Sequence, residues 1–102
     1  MILEVAILDV LPGKQEEFEL NFSKAQEIIS SMGVYKSHQL QKCLEKDNRY
    51  ILLVTWEKLE DHTIGFRQSR EYQQWKELLH RFYDPFPLVE HYQLVYEKQV
   101  KA

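Results

Sequence analysis

Residues 2–10, ILEVAILDV, carry apolar side chains on both alternating faces: Leu3, Val5 and Ile7 on one, Ile2, Ala6, Leu8 and Val10 on the other. Period 2 predicts a strand, and apolar groups on both faces predict a strand covered on both sides. Pro12-Gly13 breaks it. The period then changes. Phe18, Phe22, Ala25, Ile29 and Met32 recur at spacings of 4, 3, 4 and 3, which places them on one face of a helix over 14–32. Glu16 and Glu17 sit in its first turn, where the helix dipole favours acids, and Gly33 is placed to end it.

Residues 34–43 predict a more polar strand, 45–48 (EKDN) a turn, and 49–56 (RYILLVTW) a second strand apolar on both faces. Helical segments follow, with a break expected near Gly65. Tyr72, Trp75, Leu79 and Phe82 then fall at helical spacings of 3, 4 and 3, predicting a helix over 70–83 that Asp84-Pro85 terminates. Residues 88–97 predict the last strand. The order β-α-β-β-α-β is that of the split βαβ, ferredoxin-like arrangement: an α+β fold with an antiparallel sheet and both helices on one face. Strands apolar on both faces leave the other side of the sheet needing a cover, most simply the sheet of a second copy. A homodimer is therefore expected.

Composition narrows the function classes. The chain has 102 residues, 44% hydrophobic and 28% charged, enough for one domain over 1–102 and incompatible with disorder. A net charge of −3 with scattered lysines and arginines gives no nucleic-acid footprint. No apolar run reaches the roughly 20 residues of a membrane span. Met1-Ile2-Leu3-Glu4 lacks the basic start of a signal peptide, and the lone Cys43 fits a reducing cytoplasm, where it reads as a small hydrophobe.

The element order, LPGKQEEFE (11–19), VTWEKLEDHTIGFRQSREYQQW (54–75) and PFPLVEHY (85–92) together resemble the antibiotic biosynthesis monooxygenase (ABM) family of dimeric α+β barrels, over nearly the whole chain. The resemblance implies a pocket in each protomer between sheet and helices. It also implies oxygenation of small phenolic or quinol substrates without metal or flavin. A haem-degrading branch uses an asparagine in the first strand, a tryptophan ending the third and a histidine ten residues later. This chain has Trp56 but holds Ala6 and Phe66 at the other two positions, and phenylalanine cannot ligate iron.

Residue by residue, the candidate chemistry is sparse. Histidines 38, 62, 80 and 91 form no short ligand pair, so no metal site is expected. Leu59, His62 and Phe66, at spacings of 3 and 4, turn His62 inward; burial would keep it neutral, either as a catalytic base or as a core-edge histidine bonded to a carbonyl. His80 falls off the Tyr72–Trp75–Leu79 face, toward solvent or a partner. Ser69 is a candidate helix cap, and Arg67 near the pocket mouth can hold an anionic oxygen. Trp56, Phe66, Tyr72, Trp75 and Tyr83 are candidates for lining an aromatic ligand site or for plain core. His91 joins the binding set from the stretch HRFYDPFPLVEHY (80–92), where His80, Phe82, Tyr83, Phe86, His91 and Tyr92 surround two prolines. That stretch is expected to close the core and one end of the pocket.

Overall fold

In the computed structural model, which describes residues 1–100, the elements run β1 (Ile2–Asp9), α1 (Gln15–Ser30), β2 (Tyr35–Lys42), β3 (Arg49–Trp56), a π-helical turn (Asp61–Phe66), α2 (Arg70–Leu79), a 3-10 turn (His80–Phe82) and β4 (Val89–Gln93). The strands form one antiparallel sheet in the order β2-β3-β1-β4. The fold is the expected α+β, ferredoxin-like one.

The two central strands show how the sequence divides the sheet. Ala6, Leu8 and Val10 from β1 and its extension, with Tyr50, Leu52, Val54 and Trp56 from β3, are buried under the helices. The intervening Leu3, Val5, Ile51 and Leu53 line a shallow depression of about 740 Å³ on the opposite face, and Ile7 there is 41% exposed. Under the helices, Phe18 packs on Tyr50 at 4.9 Å and on Phe82 at 5.9 Å, while Phe22 meets Trp75 edge-on at 5.7 Å and so joins α1 to α2. Removing the fully buried Phe18 ring would cost about 3–5 kcal/mol.

The connections explain where the sequence reading shifts. Lys14 N–H bonds to Leu11 O at 3.0 Å across Pro12-Gly13, and Gly13 has φ +85°, so this is a turn that needs a glycine at its third position. Gly33, by contrast, is not left-handed; α1 ends earlier, with Ser31 still in helical geometry and its N–H bonded to Ile28 O. The helical break falls after Arg67 rather than at Gly65: Ser69 caps α2 by accepting from Tyr72 N–H at 3.1 Å, as its residue type predicts. β4 is shorter than expected. Its pairing with β1 runs out at Ile2↔Gln93, so residues 94–100 have no strand to pair with in one protomer, and Leu94, Val95 and Tyr96 are exposed.

Candidate active site

A half-open cavity of about 450 Å³ lies between the sheet and the α2 side of the helical layer. That size suits a small aromatic molecule. Its floor is β1 and β3 (Ala6, Leu8, Leu52); its walls are Phe66, Tyr72, Trp75 and Tyr83; its rim is Phe86, Pro87 and Leu88. Three polar side chains besides the tyrosines face it: Glu4, His62 and His80, with Arg67 as the cation.

The crossing from α2 to β4 is fastened to β1, which holds this wall in place. Leu11 N–H bonds to Phe82 O at 2.8 Å and Asp84 N–H to Asp9 O at 2.9 Å. The stretch 80–92 thus closes one end of the cavity, as its prolines and aromatics predict.

His62 is 3% exposed. The π-helical turn carries it and Phe66 inward together; a wide turn of this kind is a local distortion often found at functional sites. Leu59 does not follow them, because it precedes the turn, and it is 40% exposed. The His62 ring stacks on Trp56 at 5.5 Å. Its Nδ1 is 2.7 Å from Nε2 of His91, and its Nε2 is 3.3 Å from Glu4 Oε1. Trp56 donates its indole N–H to the same Glu4 Oε1 at 2.9 Å. Trp56, fully buried, and His91, on the edge strand behind His62, are therefore not cavity walls; they hold the groups that are.

The electrostatics follow from burial. Glu4 is held up at about 7 by desolvation, opposed by the Trp56 hydrogen bond and by the Arg67 charge. His62 is pushed down to about 3, first by burial and then by Arg67 and His91, so it is neutral at physiological pH. His91 is lowered by burial and Arg67. Burial, Glu4 and Tyr72 raise the Tyr83 phenol, which stays protonated. Arg67 is exposed at the mouth and makes no ion pair among the described residues.

His80 departs from expectation. It faces the cavity, 5.0 Å from Phe86 and 5.9 Å from both Tyr72 and Tyr83. The helix tightens to a 3-10 turn at this residue, and a 120° step per residue in place of about 100° moves the ring off the α-helical spacing. Glu4 was absent from the sequence candidates altogether. Its signal is a break in pattern: a lone acid among Ile2, Ala6, Leu8 and Val10 on the face that the helices cover. Two histidines remote in sequence, 62 and 91, do meet, but among the described residues no group of three His, Cys, Asp or Glu side chains is arranged to hold a metal ion.

The family model for antibiotic biosynthesis monooxygenase matches residues 1–78, most of the chain and every element up to α2. The chain belongs to the antibiotic biosynthesis monooxygenase family. The Bacillus subtilis (strain 168) uncharacterized protein YczJ is 57% identical over 93 residues, covering 91% of this chain and 98% of that protein. A crystal structure from Bordetella bronchiseptica, assigned to the antibiotic biosynthesis monooxygenases, superposes with a TM-score of 0.88 at 32% identity, covering 93% of this chain and 97% of that one. SnoaB from Streptomyces nogalater, a cofactor-independent oxygenase, shares the fold with a TM-score of 0.71 at 18% identity, covering 99% and 97%. Among its described residues the chain has no helix long and apolar enough to cross a membrane.

Proposed function

We propose that this protein is a cofactor-independent monooxygenase for a small phenol or quinol, working as a homodimer. The observation that supports this most is the cavity itself: an aromatic-walled space whose inner end presents a neutral imidazole and a carboxyl poised near neutrality. A general base tuned close to the working pH is what removal of a phenolic proton requires. The resulting anion is electron-rich. It passes one electron to oxygen, and the phenoxyl and superoxide radicals combine at a ring carbon. Loss of water from the hydroperoxide leaves a quinone. Trp75, Tyr72, Phe66 and Tyr83 exclude water and hold the ring, and Arg67 at the mouth pairs with an anionic oxygen. The proposed dimer covers the apolar sheet face of Leu3, Val5, Ile51 and Leu53 and the exposed Leu94 and Val95.

A second reading, a non-catalytic dimer that binds an aromatic metabolite, has one observation in its favour. His62 Nδ1 is bonded to His91 and burial pushes the imidazole down to about 3, so it is a weak base. Oxygen uptake with a panel of quinols, with and without added metal and chelator, separates the two. Enzyme-dependent uptake insensitive to chelator supports the monooxygenase; tight binding of the same quinols with no uptake supports the binding protein.

A further inference from the structure

We propose that Glu4, through its Oε2 atom, is the catalytic base and acid of this site, and that His62 and His91 are positioning residues that aim it. The inference deepens the monooxygenase reading and rests on it for the reaction, though not for the proton transfer.

The geometry distinguishes the two carboxyl oxygens. Oε1 accepts the Trp56 indole N–H at 2.9 Å, and His62 Nε2 lies 3.3 Å from it. No described residue bonds Oε2, and among the described residues no fully buried side-chain oxygen lacks a partner, so Oε2 keeps some access to open space; the space that Glu4 lines is this cavity. Trp56 can only donate. The His62–His91 hydrogen bond accommodates either tautomer; with the hydrogen on His91 Nε2, His62 Nδ1 accepts it and the His62 Nε2–H lies beside Glu4 Oε1, 3.3 Å away. An N–H so placed favours the ionised carboxylate through its dipole, and the ring stays in place on Trp56. The His62 imidazole, held down at about 3, is a poor proton acceptor, whereas Glu4 at about 7 exists in both forms at neutral pH.

The reaction balances on one carboxyl. The phenolic proton passes to Glu4 Oε2, and the phenolate gives an electron to oxygen. The two radicals form a carbon–oxygen bond, and Glu4 returns its proton to the distal peroxide oxygen. The ring C–H proton and hydroxide leave as water as the carbonyl forms. Phenol and oxygen thus become quinone and water, with no other oxidant or reductant. The groups facing Glu4 are His62 and Arg67 from the π-helical turn and its end, His91 from β4, Trp56 from β3, and Tyr72 and Tyr83 from the helical wall.

Glu4→Gln tests this, because the amide retains an acceptor for Trp56 and His62; Glu4→Asp, which retains the acid, is the second variant. Two measurements are needed. In the first, 4-nitrophenol is bound to each protein near pH 7, and its phenolate absorbance is read together with the infrared band of a protonated carboxyl. Wild type should show both signals; Glu4→Gln should lose the infrared band and at least about tenfold of the bound phenolate, and Glu4→Asp should restore part of both. In the second, oxygen uptake with a quinol is followed against pH. The wild-type rate should rise through about pH 7 with Glu4 ionisation; Glu4→Gln should lose that limb and about 10²–10⁴-fold of the rate. His62→Phe, which keeps a ring on Trp56 and removes the N–H beside the carboxylate, should move the limb to higher pH. Ionisation of 4-nitrophenol by Glu4→Gln equal to wild type overturns the assignment. Glu4-dependent ionisation without oxygen uptake from any quinol supports the assignment and removes the monooxygenase reading alone.

Discussion

Trp56 and Glu4 stand diagonally across the β1–β3 pair, and the indole N–H of one donates to the carboxyl of the other at 2.9 Å. Both are buried, so the bond is made where water cannot replace it. Trp56→Phe keeps most of the packing and removes the donor. Stability should fall by about 1–3 kcal/mol, because a buried acceptor loses a partner. Glu4 should also titrate still higher, because the Trp56 bond opposes its desolvation more than the Arg67 charge does. Urea unfolding and carboxyl infrared titration of the variant measure the two effects. An unchanged Glu4 midpoint would show that the indole does not support the carboxylate.

The Glu4–His62 pair makes a prediction for stability against pH. A carboxyl raised from 4.5 to about 7 on folding disfavours the folded state as it ionises, so its contribution falls between those values and is constant above. A histidine lowered from 6.5 to about 3 acts in the opposite sense: its contribution rises with pH from about 3 to 6.5. Between pH 4.5 and 6.5 the two slopes offset, and the pair leaves wild-type stability flat. In Glu4→Gln only the His62 slope remains, so stability should climb with pH there, and the variant should gain on wild type by pH 7, on the order of 3 kcal/mol. Denaturant melts at a series of pH values test this; a difference between the proteins that does not vary with pH would refute it.

The element order, the strand faces and the Ser69 cap were legible because each depends on local period or local chemistry. Helical spacing put Tyr72, Trp75, Leu79 and Phe82 on one inward face, but it could not divide the aromatics between core and cavity wall; Tyr72, Trp75 and Tyr83 line the cavity and Phe82 does not. Glu4 was not, because attention to apolar alternation passes over the one polar residue that breaks it; the break is meaningful only once the helices are known to cover that face. His91 reached the candidate set only by sitting among aromatics. Its role depends on β4 pairing with β1, which brings it opposite Glu4, and no local pattern encodes that register. His80 and Leu59 were misplaced for a shared reason: both sit where α-helical spacing gives way to another helix type, 3-10 at His80 and π after Leu59.

His62→Ala should destabilise the protein by about 1–3 kcal/mol, since it strips a partner from His91 and leaves space beside Trp56. A histidine serving mainly as an inward-facing free base would show little such loss. Thermal or urea unfolding decides it, and a variant as stable as wild type would mean that the His62–His91 contact contributes nothing to the fold.

The uncovered sheet face predicts assembly. Leu53 lies on the face away from the cavity, beside Val5 and Ile51, so a charge there leaves the site untouched. By two-fold symmetry Leu53→Lys places two like charges in one interface. The wild type should be a dimer at micromolar concentration, burying on the order of 2,000 Å² or more as obligate pairs do, and the variant should shift to monomer. Light scattering coupled to size exclusion reads both. A wild type that runs as a monomer would leave the apolar face unexplained and end the dimer proposal.

Haem should not be a substrate. In the haem-degrading branch of the family that this chain resembles in sequence, a histidine is expected ten residues past the tryptophan that ends the third strand, and this chain departs from that pattern: the position is Phe66, buried, 5.6 Å from Trp56 and packed edge-on against Tyr72 and Trp75. A phenyl ring offers iron no lone pair. His62, stacked on it at 6.2 Å, has its Nδ1 bonded to His91. Ligating iron through that nitrogen would require breaking the bond, at a cost of about 1–3 kcal/mol. Titration with haem should therefore give no stoichiometric Soret shift, and a reductant should cause no protein-dependent loss of haem absorbance. A one-to-one shift followed by such loss would show that another residue, His80 at the cavity wall being the first to test by substitution, supplies the ligand.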